Sequence, residues 1–177
     1  MVSKVVVLDG VAVRVQEEAL RSIATHLIRP LLATAVATWQ GPSAGLDIAA
    51  IKRTHGIDVY IEPDMLLEKL IKQKIEVQIP FDGPFRSVLY NAYTKYRAYE
   101  RVKGLDFDWL VYSRSDMHWF SNLPPSFLWE NATSTVWVPD AADWGGFYDR
   151  AAVIPRRFAA TYMQGPLQLI LAAIGYE

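Results

Sequence analysis

The sequence predicts an α/β three-layer sandwich with a central, mostly parallel sheet. Three observations predict it. A β-branched opening run, Lys4 to Leu8, reads as a buried strand and is followed at once by an amphipathic helical pattern. Strand-like and helix-like segments then alternate along most of the chain. Turns rich in glycine, proline and aspartate separate them.

The first strand is expected to end at Asp9-Gly10. A helix over Gln16 to Arg29 follows, because Ala19, Leu20, Ile23, Ala24, Leu27 and Ile28 recur at helical spacing. Glu17 and Glu18 suit its positive start and Arg29 its negative end, and Pro30 is expected to close it. Ala35 to Trp39 reads as the second strand and Gln40 to Ser43 as a loop. A short helix near Asp47 to Thr54 leads to a strand at Ile57 to Ile61. Pro63-Asp64 opens a further helix to about Lys72, and Ile75, Val77 and Ile79 alternate as in a half-exposed strand. After a Pro80 to Pro84 loop, a long helix should run from about Phe85 to Lys103, ended by Gly104, and Trp109 to Ser113 form the central strand. Beyond Pro124-Pro125 the chain turns loop-rich, with a strand at Thr135 to Val138, a polar loop from Asp140 to Asp149 and a short strand at Ala151 to Ile154. Helices at Pro155 to Met163 and Pro166 to Ile174 finish it.

At 177 residues the chain reads as a single domain over 1–177, either whole or the N-terminal part of a longer chain. It is 51% hydrophobic and 21% charged, as expected of a globular chain. A net charge of −1 gives no global field toward nucleic acid or anionic membrane, so phosphate binding would have to be local. The absence of cysteine excludes disulfides, thiolate zinc sites and cysteine nucleophiles. The stretch from Ala19 to Trp39 is broken by Arg21, His26, Arg29 and Pro30, whereas a membrane span needs about 20 nearly uncharged residues. No signal-peptide pattern precedes the first strand. The expected location is therefore the cytoplasm.

Three segments carry chemistry. Arg114-Ser115-Asp116-Met117-His118 follows the central strand, and ligands of open α/β sheets bind beyond the carboxyl ends of strands. In extended chain, Asp116 and His118 would point the same way and together hold a divalent metal, with Arg114 on a phosphate. The plainer alternative is a polar turn after a buried strand. The second segment is Asp9-Gly10-Val11-Ala12-Val13-Arg14. Gly10 permits a turn that side chains would block, and Arg14 precedes a helix start that favours anions. It also reads as an ordinary βα turn. The third is Asp140 to Arg150, where acids, aromatics and Gly145-Gly146 would suit a sugar, and Asp149 has the chemistry of a general base. Its plainer reading is an exposed turn with Asp149 paired to Arg150. There is no Gly-x-Gly-x-x-Gly after the first strand, no Gly-Lys-Ser/Thr phosphate loop and no Gly-x-Ser-x-Gly elbow. His26 and His55 read as structural or solvent-facing.

In their order these segments resemble GT-A-fold glycosyltransferases (nucleotide-diphospho-sugar transferase-like), most closely the amino-terminal glycosyltransferase domain of large chlorella-virus proteins. The likeness rests on the opening strand, the Gly10 to Arg14 turn, Thr38-Trp39, Phe107-Asp108-Trp109, Arg114-Ser115-Asp116, Gly145-Gly146, Asp149-Arg150 and Tyr162. The first turn carries one residue more than the usual Gly-x-x-Arg. The usual Asp-x-Asp is absent, and no histidine follows His118.

The resemblance implies a metal-dependent transferase moving a sugar from a nucleoside-diphosphate sugar to a glycan or other hydroxyl acceptor. Asp116 and His118 would hold Mn²⁺ or Mg²⁺. Asp9, Gly10, Arg14, Arg114, Asp143, Trp144 and Gly146 would bind the donor, and Asp149 would be the catalytic carboxylate. Neither nucleic acid nor a membrane span enters that expectation. The alternatives are a nucleotidyltransferase and a non-catalytic nucleotide- or carbohydrate-binding module.

Overall fold

The computed structural model describes residues 2–43, 45–63, 83–124, 129–140 and 150–173, with backbone alone for 83–87. Five strands form one sheet: β1 (Lys4–Val11), β2 (Thr34–Gln40), β3 (Ile57–Glu62), β4 (Trp109–Arg114) and β5 (Ala151–Pro155). Their spatial order is β3-β2-β1-β4-β5. The first four are parallel, and β5 runs antiparallel to β4. Parallel strands covered on both faces read as unbroken apolar runs, which is why Val5 to Leu8 and Trp109 to Tyr112 show no alternation.

Helices cover both faces, as the sequence predicts. Helix α1 (Glu17–Ile23, continued by a π turn Ala24–Ile28 and a last α turn Arg29–Leu31) lies on one side with α2 (Ile48–His55). There Leu20, Ile23, Leu27 and Ile51 pack on Val6, Leu8, Ala37, Trp39 and Val111. On the other side, α3 (Gly83–Val102) and α4 (Arg156–Ala173) bring Ala98, Val102, Ala159 and Met163 onto Val5, Val7, Leu110 and Ile154. The two face sets alternate along each strand, as the pleat requires.

Several expectations are corrected. Asp9 and Gly10 lie inside β1, which runs on to Val11. Pro30 does not close the first helix. The preceding turn widens, with Arg29 N–H bonded five residues back to Ala24 C=O, and this accommodates a ring that has no N–H to donate. The helix ends at Leu32, left-handed at φ 52°. Thr135 to Val138 is no strand; only Trp137 bridges, antiparallel, to Val153. The two C-terminal helices are one, with Pro166 inside it. Ala159, Met163 and Leu167, spaced four apart and buried, hold that single helix against its neighbours. The helix expected to Lys72 and the strand at Ile75 to Ile79 lie outside the described residues. No helix among those described is long and apolar enough to cross a membrane.

The topology matters for function because of where it reverses. From β1 the chain moves outward through β2 to β3, then returns across the sheet to β4 on β1's other side. The carboxyl ends of β1 and β4 therefore adjoin at a switch point, where open α/β sheets leave a crevice for ligands.

Candidate functional site

Register places the residues of the switch point. Asp9 pairs with Arg114 across β1 and β4, and Gly10 pairs with Trp39 across β1 and β2. Immediately past β4, Ser115 N–H donates to Asp9 C=O at 2.8 Å. Ser115 is buried, and its Oγ accepts the Trp39 indole N–H at 2.6 Å. A Cβ on Gly10 would meet Ser115 Cβ at 3.5 Å, an ordinary packing distance, so the two strand ends lie in close contact here. The first and second sequence segments are thus brought together.

Asp116 and Arg114 form a two-pronged ion pair: Nε donates to Oδ1 at 2.9 Å and Nη2 to Oδ2 at 2.6 Å. Burial alone would raise the Asp116 pKa, but the Arg114 hydrogen bonds and charge, with Arg14 further off, hold it below the usual carboxylate value. The hydrogen bond to Asp116 in turn raises Arg114. Arg14 lies in a 3-10 turn (Ala12–Arg14) just before α1, exposed and within electrostatic reach of Asp116.

The geometry assumed for Asp116 and His118 does not hold. β4 ends at Arg114, and a turn at Ser115-Asp116 follows, closed by Met117 N–H on Arg114 C=O at 3.3 Å. The two side chains do not stand at alternate positions of an extended strand. His118 is exposed. Among the described residues no group of three or more His, Cys, Asp or Glu is placed to hold a metal.

Asp9 also sits differently from expectation. It is fully buried on the face under α3 and α4, not presented to solvent. Its Oδ1 accepts the Tyr112 hydroxyl at 2.9 Å, while Oδ2 has no hydrogen-bond partner. Burial pushes its pKa up to about 6, against the lowering effects of Lys95, Tyr112 and Arg114. Thr38, its register partner on β2, is equally buried and its Oγ1 is also unpartnered.

Lys95 is a residue that sequence reading missed. It is buried on α3, its ammonium 4.9 Å from the Tyr112 ring centre and 5.7 Å from that of Tyr162. The signal was available: Lys95 falls in the buried stripe Ala92, Lys95, Ala98, Val102 of a helix. A lysine there calls for a buried acid opposite, and Asp9 supplies it. Along the end of β1 and β4, charges alternate: Lys95, Asp9, Arg114, Asp116, Arg14.

Asp143, Trp144, Gly146 and Asp149 lie outside the described residues. The chain re-enters at Arg150, whose C=O accepts the Arg114 N–H at 2.9 Å. The third segment's end is therefore tied by backbone to the switch point.

No protein-family model matches the sequence, and no curated protein matches it. Among solved structures, the chain is similar to the apo-form glycosyltransferase GlyE of Streptococcus pneumoniae, with 12% identity and a TM-score of 0.47. That similarity takes in 100% of this chain and 39% of the other, so this chain spans well under half of that protein's length.

Proposed function

We propose that this chain is a GT-A-like glycosyltransferase domain that takes a sugar from a nucleoside-diphosphate donor to a hydroxyl acceptor. The observation that carries the reading is the meeting of Gly10, Arg14, Arg114 and Asp116 at the β1/β4 switch point. Two guanidiniums there suit a diphosphate, and Arg114 has the fork geometry for two phosphate oxygens. The likeness to the chlorella-virus domain belongs to this proposal and rests on sequence motifs alone.

The donor set suits Mn²⁺ or Mg²⁺ of the kind held by one or two carboxylates together with substrate phosphates. Asp116 would be the principal protein ligand; the turn after β4 takes His118 out of line with it, so the remaining ligands would come from the substrate. When bound, the cation supplies positive charge beside the departing diphosphate. Arg114 holds one hydrogen bond to each Asp116 oxygen, so a cation bound there would compete with it. A guanidinium freed by that competition would be available to the diphosphate. Arg14 adds charge from the exposed side, and Gly10 leaves backbone open to the ligand. Asp9 acts from beneath as the buried counter-charge that keeps Arg114 at the crevice. Asp149 is assigned the acceptor's proton in an inverting reaction, and Asp143, Trp144 and Gly146 the donor sugar.

The rival reading is a non-catalytic nucleotide- or carbohydrate-binding module. One observation favours it: Arg114 is paired with both oxygens of Asp116, as in a structural ion pair. Incubation with sugar nucleotides and Mn²⁺ tests all three readings. Release of free nucleoside diphosphate supports glycosyl transfer, release of pyrophosphate means nucleotidyl transfer, and binding without turnover means a module.

A further inference from the structure

Past Asp116, the chain lines a cavity of about 530 Å³ against β4 and β5. Its walls include Trp119, Trp129, Trp137, Leu123, Val138 and Val153. No charged residue lines it among the described residues. That volume is in the range of pockets that take a whole small molecule.

The walls are built rather than loosely arranged. Trp119 donates its backbone N–H to Ser22 Oγ on α1 at 3.0 Å and its indole N–H to Ser113 Oγ at 3.1 Å. The Trp129 indole N–H donates to Pro124 C=O at 3.1 Å, and its ring stands edge-on to Trp109 at 5.0 Å. Trp137 is bonded by backbone in both directions to Val153, at 2.9 and 2.8 Å. Two of the three indole N–H groups are thus already satisfied, and the cavity is offered carbon.

The remaining polar side chains are few. Asn122 Oδ1 is bonded to His26 Nδ1 at 2.9 Å, and the Tyr112 hydroxyl to Asp9. Ser121 is the other polar side chain at the rim. A bare sugar would leave several hydroxyls unpaired here, each at a cost. An uncharged apolar group loses nothing and gains ring contact with the tryptophans.

We infer that this cavity binds the apolar, uncharged portion of a hydroxyl-bearing acceptor, such as the aryl or alkyl group of a glycoside. The assignment to an acceptor rests on the proposed transferase reading. Continuity supports it, since Trp119 lies three residues beyond Asp116 on the same segment leaving β4. The binding itself does not depend on donor or metal.

Tryptophan fluorescence tests it on the whole chain without nucleotide or metal, using phenyl β-glucoside and, separately, glucose. The expected result is a saturable emission change with the phenyl glycoside and none with glucose at equal concentration. Trp137→Ala removes a half-exposed ring and should weaken the phenyl glycoside by about three- to tenfold. Val138→Arg, which places a charge at the wall, should weaken it further while circular dichroism stays native. Equal responses to glucose and phenyl glucoside would overturn the inference, as would an affinity unmoved by both folded variants. Loss of donor binding elsewhere would sink the transferase reading and leave this result standing.

Discussion

The Arg114 guanidinium grips both carboxylate oxygens of Asp116, at 2.9 and 2.6 Å, where the ends of β1 and β4 meet. A cation accepted by Asp116 competes with that guanidinium for the same two oxygens. Arg114→Ala should therefore split two affinities that ordinarily move together. Binding of Mn²⁺ alone should tighten, because its competitor is gone. Binding of a nucleoside diphosphate should weaken by about 1.5–3 kcal/mol, the usual worth of a charge-assisted contact. Calorimetry with each ligand separately reads both, and parallel loss of both would show that Arg114 only holds Asp116 in shape.

The bond from the Trp39 indole to Ser115 Oγ, 2.6 Å long and buried, locks the turn after β4 onto β2. Ser115→Ala strands the indole N–H in the core and should cost about 1–3 kcal/mol. Trp39→Phe with Ser115→Ala should cost less than the two single changes added together, since the double variant leaves no orphan. Urea unfolding of the four proteins gives the coupling directly.

Asp9 makes stability depend on pH with an unusual sign. Its folded pKa, about 6, lies above the ordinary aspartate value of 3.8. Between those values the native state holds a proton that the unfolded chain has lost. Stability contributed by neutral Asp9 is thus full below about pH 4, declines as pH rises to about 6, and is absent above. The total swing is on the order of 3 kcal/mol. Asp9→Asn, which keeps an oxygen for the Tyr112 hydroxyl, should remove this decline. Denaturant melts of both proteins from pH 4 to 7 show it as a difference between the two curves; parallel curves would place the Asp9 pKa near normal.

Leu32 ends α1 in the left-handed region at φ 52° and is 85% exposed. A side chain there costs about 1–2 kcal/mol relative to glycine, partly offset by glycine's greater freedom when unfolded. Leu32→Gly should stabilise the fold by about 0.5–1 kcal/mol, seen as a raised thermal midpoint. A lowered midpoint would mean that the leucine makes contacts worth more than its strain.

Much of the architecture was legible because it rests on local signals. The β-branched run at Val5 to Leu8, the helical spacing from Ala19 to Ile28 and the Asp47 cap on α2 each name their element. The cap itself is seen in the structure, where Asp47 Oδ1 accepts the Ala50 N–H at 2.8 Å. Proline misled twice, at Pro30 and Pro166. A wider turn and a buried stripe outweighed the missing hydrogen bond in those places. At the site, alternation predicted that Asp116 and His118 would share a direction, but a turn begins one residue earlier than that needs. The burial of Asp9 was illegible for another reason. Its fate depends on which face of β1 it takes, and so on Lys95, 86 positions along the chain yet opposite it in space.

The proposed chemistry turns on whether Asp116 joins a cation to a diphosphate. Titration calorimetry of a panel of nucleoside diphosphates, with Mn²⁺ and then with chelator, repeated on Asp116→Ala, measures this. Binding by the wild type should need the metal and be lost in the variant. Binding of equal strength in chelator, or in Asp116→Ala, would contradict that chemistry.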